Sequence, residues 1–453
     1  MSTTLKYSLA TGAAILALLP GQAFSAPISE QKEAALLERL NQMEQEVAKL
    51  RAQLNVVENT QQQQAEKVAE TRKVAQEKGA TSVRFKGAPE IKTADGWSFK
   101  PRGRILYDFN NLSSVPSTIN IPGEGFSNEA RRVRLGVQGS IPGGFGYKME
   151  ADLLDGVEIT DAYLDYKTGG LTVTVGQHNN FQSLEELSSS NDGSFIERSA
   201  FTDAFGFQRQ VGVSAAYRTG MVLLQAGVFT DNIADLNDGN DSIGLDGRVV
   251  FSPKLGEAQL HLGGSVHWKD LGDNISSLRY RQRPLIHSVD TRFISTGSMA
   301  AEEQLTYGLE AAVIAGRFHA AAETHWAQVS RSGLTNPTFF GGSVEAGVFL
   351  TDDSREYKGG MFKGVKVSNP VGSGGSGAWQ VNVRYDRLDL TDGGIIGGTQ
   401  DGYMASLIWT PVDYVRFLLN YGHLSYGNAL GIIVGAPDDY SVDVIGARAQ
   451  ISF

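Results

Sequence analysis

From Trp97 to the C-terminus, apolar and polar residues alternate with a period of two. In WSFKPRGRILYDFN, Phe99, Ile105, Tyr107 and Phe109 share one face, and Lys100, Arg102, Arg104 and Asp108 share the other. The same alternation sets Tyr147, Met149, Ala151 and Leu153 against Lys148, Glu150 and Asp152. It also sets Val415, Phe417, Leu419 and Tyr421 against Arg416 and Asn420, and Ile445 to Phe453 against Arg448, Gln450 and Ser452. Successive side chains of a strand point to opposite sides, so each segment predicts a strand with one apolar and one polar face. Residues 128–139, NEARRVRLGVQG, give the polar face an unusual content: Arg132 and Arg134 lie opposite Val133, Leu135 and Val137. Repeated over the whole region, the pattern predicts an all-β transmembrane barrel, with apolar residues toward lipid and polar residues toward the lumen.

The connections count the strands. Short turns fall at 141–145, 169–170, around Gly220, and at 253–256, 316–317 and 411–413, with a longer one around 352–360. Long polar loops fall at 110–127, 178–208, 232–241, 270–304, 331–337, 392–401 and 427–440, with one very short loop near 155–156. Alternation of turns with loops gives about sixteen antiparallel strands, enough to enclose an aqueous channel. Both barrel ends then emerge on the short-turn side.

Ahead of the barrel the period changes. Leu36, Leu40, Met43, Val47, Leu50, Leu54 and Val57 recur at alternating spacings of four and three, the seam of a coiled coil. Residues 28–78 therefore predict an N-terminal α-helical coiled coil, and 79–96 a linker. Residues 1–25 carry Lys6, the apolar run LATGAAILALLP and the small residues of GQAFSA, the pattern of a secretory leader. The resulting division is leader 1–25, periplasmic coiled coil 28–78, linker 79–96 and barrel 97–453.

Composition narrows the function. The chain has no cysteine, which excludes disulfide frameworks and thiolate metal sites, and its formal net charge of -10 argues against a nucleic-acid partner. Seven histidines are scattered without metalloprotease spacing, and GSGGSG at 372–377 lacks the strand-to-helix context of a phosphate cradle. No metal, no cofactor and no catalytic residue is expected. Lys100, Arg102, Arg104, Arg132 and Arg134 come from two consecutive strands and predict one positive wall. Guanidinium groups bind carboxylate or phosphate oxygens in forked pairs while keeping their charge. The competing expectation is that they serve only to pair with Asp108, Glu150, Asp152, Asp161 and Asp165. Arg279, Arg281 and Arg283 share one parity in the fifth loop, where they could gather anions, bind lipopolysaccharide phosphates or pin the loop.

The segments ARRVRLGVQG, TDAYLDY, VTVGQ, SFIERS, RQVGV, RYRQRP and YGLEAAVIAGRFHAAAE, with the terminal phenylalanine, resemble the phosphate-selective porin O and P family. That resemblance implies an outer-membrane homotrimer of sixteen-stranded barrels, with an inward-folded third loop and basic side chains guiding anions. It places His178, Asn180, Glu185, Glu186, Glu197 and Arg198 in the constriction loop. The sequence departs from the family where GQHNNFQSLEE lacks the customary lysine and proline and carries Glu185 and Glu186. LTDDSREY is likewise more acidic than the family form. The expected function is passive diffusion of small anions such as phosphate across a Gram-negative outer membrane, with the N-terminus periplasmic. Membrane lipids and lipopolysaccharide are the expected surroundings, and the coiled coil offers a surface for peptidoglycan. The alternatives are a general or cation-preferring porin, an envelope-tethering protein and a hydrolase with its site at the barrel rim.

Overall fold

The computed structural model describes residues 30–77, 81–115, 121, 123–154, 156–429 and 437–453. Two compact units divide the chain at Lys78 and Gly79. The leader expected over 1–25 lies outside the described residues, as do the side chains of Leu36 and Leu40. The first unit contains one helix, α1 (Glu30–Glu77). Within it Met43, Val47, Leu50, Leu54 and Val57 are all exposed along one apolar seam.

The second unit is a closed barrel of sixteen antiparallel strands. They are β1 (Ser98–Leu112), β2 (Gly125–Ile141), β3 (Phe145–Asp152), β4 (Glu158–Thr168), β5 (Leu171–Asn179), β6 (Arg209–Thr219), β7 (Val222–Phe229) and β8 (Ile243–Phe251). The circuit continues with β9 (Ala258–Asp270), β10 (Glu303–Ala315), β11 (Phe318–Ser330), β12 (Thr338–Phe349), β13 (Ala378–Asp392), β14 (Ile395–Val412), β15 (Val415–Gly427) and β16 (Tyr440–Ser452). Closure comes from β16 pairing with β1, Ser452 opposite Arg104 and Val444 opposite Leu112. At the end of that seam Phe453 exchanges backbone hydrogen bonds with Gly103, at 2.9 and 3.1 Å. Its ring lies over the same glycine, where a Cβ would come within 2.2 Å of it.

The alternation read from the sequence is the alternation of the wall. On β1 Phe99, Ile105, Tyr107 and Phe109 are exposed on the outer surface, while Arg104 and Asp108 are buried on the inner one. An apolar outer face costs little only where it meets lipid, and no helix among the described residues is long and apolar enough to cross a membrane. Strands do the spanning.

Three parts differ from the sequence reading. Residues 79–96 include a hairpin, Ser82–Lys86 paired with Ala88–Lys92, whose second strand adds to β1. The alternation there is too short to stand out from a linker. The loop expected over 392–401 is a two-residue Gly393-Gly394 turn between long strands, because Thr391 and Asp392 continue the ladder to Ile395 and Ile396. The uncertain turn around 352–360 extends from 350 to 377. Within it Arg355–Lys358 pairs with Met361–Val365, and this hairpin packs inside the barrel.

Candidate functional site

The third loop, between β5 and β6, carries two short helices, α2 (Leu184–Leu187) and α3 (Ala200–Ala204). Inward-facing wall residues hold it at several points. Glu323 accepts the backbone N–H groups of Leu184 and Glu185 at 2.9 and 2.8 Å, and Asp386 accepts that of Ala200 at 3.1 Å. Arg448 donates to the Ile196 carbonyl at 2.7 Å and Arg416 to that of Gly193 at 3.0 Å. Phe201, Phe205 and Phe207 pack with Tyr280 and Phe293 of the fifth loop and with Leu388, Leu424 and Val442 of the wall. One side of the barrel is thereby filled.

What stays open there is a cavity of about 470 Å³ against β1 to β8, lined also by Met361 and Lys363 of the inserted hairpin. Ten lysines and arginines line it, against three acids, Asp161, Asp165 and Glu186. Beyond the third loop lies a second cavity of about 130 Å³, lined by Arg131, Arg283 and His287 among others. Arg132, Glu186 and Arg198 border both cavities, so they stand where the two adjoin.

The predicted basic set divides on inspection. Arg104 lies opposite Arg134 in the ladder, and the repulsion is relieved by Glu150, 3.2 Å from Arg104 and 3.6 Å from Arg134. Arg134 also reaches Asp152 at 2.9 Å. Arg102 donates to Gln138 at 2.6 Å, and Lys100 turns to the short-turn rim, where it donates to the Lys86 carbonyl at 3.0 Å. Arg132 has neither a carboxylate nor a hydrogen-bond acceptor among the described residues, and its Nε is buried without a partner. Arg104 and Arg134 are thus paired with acids, as the competing expectation has it, and Arg132 is not.

Of the residues expected in the constriction loop, His178 is still within β5, one residue before its end, with its Nε2 2.7 Å from Ser214 Oγ, while Asn180 donates to Gln210 at 3.2 Å. Glu185 pairs with Arg384 at 3.0 Å, Glu186 with Arg198 at 2.9 Å, and Glu197 with Arg131 at 2.8 Å and Arg448 at 3.1 Å. The acids that made this loop depart from the family are therefore matched to arginines. Burial pushes the Glu185 carboxyl up to about 7 despite Arg384, with Glu345 and Glu323 adding to the rise. Glu197 is equally crowded, but Arg131 and Arg448 overcome its burial and hold it well below the usual range.

Of the fifth-loop arginines, Arg283 enters the outer cavity with Arg132, Arg279 borders a different cavity, and Arg281 is exposed. Sequence reasoning missed Arg131, which a bulge between Leu106 and Tyr107 of the β1–β2 ladder turns to the same side as Arg132. A strict period of two hides such a residue. The same reasoning put Lys148 on the polar face without adding it to the basic wall, and it missed Arg209 and Arg248, whose inward parity was legible, and Lys363, whose hairpin was not. His319 and His325 of β11 share the inner face and hydrogen-bond Gln380 and Glu323, and no group of three metal-ligating side chains occurs among the described residues.

Comparison with known proteins bears on this arrangement. The family described as phosphate-selective porin O and P matches residues 99–453. An uncharacterized protein of Caulobacter vibrioides is 47% identical over 384 residues, covering 82% of this chain and 77% of the relative. Porin O of Pseudomonas aeruginosa is 26% identical over 361 residues, covering 70% of this chain and 78% of that protein. Among solved structures, a trimer form of OmpT, an outer membrane protein of Vibrio cholerae, has a TM-score of 0.50 at 12% identity, over 79% of this chain and all of that one. At such low identity the likeness concerns the fold alone.

Proposed function

The chain belongs to the phosphate-selective porin O and P family, and from that premise we propose that it passes small anions, phosphate among them. The coarser part follows from family and fold together: the protein is a diffusion channel of the Gram-negative outer membrane, a channel rather than an enzyme. The anion preference rests on one observation. The open cavity is lined by ten cations and three acids, and where it meets the outer cavity stands Arg132, which makes no ion pair among the described residues.

In the wall, Glu150, Asp152 and Glu310 sit behind Arg104, Arg134 and Arg248, which they orient, while the guanidinium groups face the cavity. Wall charge in a narrow aqueous space bounded by low-dielectric protein raises the local concentration of the opposite ion. An anion crossing between the cavities would exchange water for forked donors and leave again, because no single site surrounds it. The exposed seam of α1 supports a homotrimer joined by a coiled coil, and the shared short-turn side of both barrel ends supports a periplasmic N-terminus.

The test is a planar-bilayer recording in asymmetric potassium chloride, repeated with phosphate. The proposal expects a reversal potential on the anion side and a saturable fall of chloride current as phosphate is added. A reversal potential on the cation side would replace it with the cation-preferring alternative.

A further inference from the structure

We propose that a further cavity, bordered by the third, fourth and fifth loops and the inner face of β9, is a binding site for a neutral polyhydroxylated solute of disaccharide size. This rests on the channel reading but not on the anion preference. The cavity holds about 450 Å³, within the range of sites that enclose small organic ligands.

Its chemistry differs from that of the basic cavity. Residues 179–182 form a shared wall: Asn179 and Phe181 line the basic cavity, and Asn180 and Gln182 line this one. Lys269 is paired with Asp231, and the remaining charges, Arg279 and Asp235, balance formally. Eight side-chain amides supply most of the other polar groups. A site with so many amides and no net charge suits a ligand that both donates and accepts hydrogen bonds.

The groups left without partners narrow the class. Asn180 Oδ1, Gln182 Oε1 and Tyr280 Oη are buried and make no hydrogen bond among the described residues. Their residues are 2%, 4% and 3% exposed. The orientation of Asn180 is set by its donation to Gln210, which leaves the oxygen free. Burying such atoms unpaired costs about 1–3 kcal/mol each, so the site favours a ligand that satisfies them. Two are acceptors. Phosphate, which mainly accepts, gains nothing from them, and for an organic cation Asp231 is already held by Lys269, Ser242 and Asn240, which leaves Asp235 as the one carboxylate against Arg279. A sugar hydroxyl can donate to both amide oxygens and accept from the Tyr280 phenol. The Tyr280 and Phe205 rings, 5.5 Å apart and edge to face, offer an apolar surface for ring C–H groups.

The experiment uses the full chain in planar bilayers, with maltose as the probe and potassium chloride carrying the current. Maltose is expected to interrupt the current saturably at millimolar concentration. Combining Gln182→Leu with Tyr280→Phe should weaken that block about tenfold, the cost of one or two hydrogen bonds, and leave phosphate block unchanged. Tyr280→Phe alone removes one oxygen without altering shape, and it should still weaken the block severalfold if the double variant fails to fold. Absence of saturable block, or block equal in wild type and Tyr280→Phe, overturns the site while chloride conductance persists. Loss of all conductance in the wild type would instead remove the channel reading, and this site with it.

Discussion

Arg131 Nε lies 2.8 Å from Glu197 Oε1, and that bond joins the bulge of β2 to the middle of the third loop. Arg448, from the last strand, reaches the same carboxylate at 3.1 Å while gripping Asp108 at 2.7 Å. One acid thus ties the loop to both strands that flank β1. Replacing Glu197 by glutamine keeps its size but leaves Arg131 without its paired carboxylate and Arg448 with Asp108 alone. The expected cost is about 2–4 kcal/mol, somewhat below that of a fully buried pair because Glu197 retains contact with water. Urea unfolding in detergent would measure it, and single-channel records should show added low-frequency noise from a loosened loop. A variant as stable and as quiet as the wild type would mean that the loop is held elsewhere.

The inserted hairpin makes the second grip on that loop. Arg355 donates to Ser194 and Glu345 at 2.9 and 3.1 Å, and Phe362 N–H to Ser188 at 3.1 Å. Tyr357 and Gly360 are tied to His261 and Arg248 in the wall. Replacing residues 355–365 by a short glycine linker should raise conductance, since Met361 and Lys363 no longer narrow the cavity, and should lower anion preference by removing Lys363. Unchanged conductance would place the narrowest point entirely at the third loop.

Barrel class, strand number and inward parity were legible in the sequence because each strand obeys one local rule: outer residues meet one solvent and inner residues another. Arg104 and Arg132 could be assigned to the inner face on that ground alone. What could not be read is which arginine keeps a free charge. Arg134 and Arg132 are neighbours on one face, and only the arrival of Asp152 and Glu150 from β3 distinguishes them. The bulge at Arg131 and the inward course of residues 350–377 were hidden for a related reason. Both depend on contacts with the third loop, far away in the chain.

Glu185 supplies the pH dependence. Its carboxyl, raised from an ordinary 4.5 to about 7, faces Arg384 on β13 and shares its surroundings with Glu323 and Glu345 of β11 and β12. Because the folded value is the higher one, protonation favours the native state. That contribution is complete below pH 4.5 and fades as pH rises through 7. Lowering the pH from 8 to 6 should therefore strengthen loop docking at Glu185. It should also increase anion preference, since Arg384 loses its counter-charge. Glu185→Gln should show the low-pH selectivity throughout, and selectivity that titrates unchanged in this variant would exclude Glu185 as the source.

The helix should associate. With Met43, Val47, Leu50, Leu54 and Val57 exposed on α1, a peptide of residues 28–78 is expected to be helical and trimeric at high concentration. Circular dichroism and sedimentation equilibrium would read both properties. An unfolded monomer would remove the coiled coil, and a helical dimer would remove only the match to a trimeric barrel.

Arg132 and Arg134 allow the sharpest comparison, because the same substitution at adjacent inward positions should have opposite consequences. Arg134→Gln leaves Asp152 without its 2.9 Å partner and Glu150 with only Arg104, so the damage falls on folding, at about 1–3 kcal/mol, and reduces barrel yield. Arg132→Gln breaks no ion pair and should fold normally. Its charge, however, stands where the two cavities adjoin. A unit charge about 4 Å from an ion is worth about 1 kcal/mol even in water, or roughly fivefold in local concentration. The anion-to-cation permeability ratio should therefore fall by up to that factor. The fall should be largest at low salt, because the Debye length shrinks from about 30 Å at 0.01 M to about 3 Å at 1 M. Reversal potentials at several salt concentrations separate this from a steric change, which salt would not screen. A well-folded Arg132→Gln channel with wild-type selectivity would show that an unpaired arginine where the two cavities adjoin does not govern which ions enter.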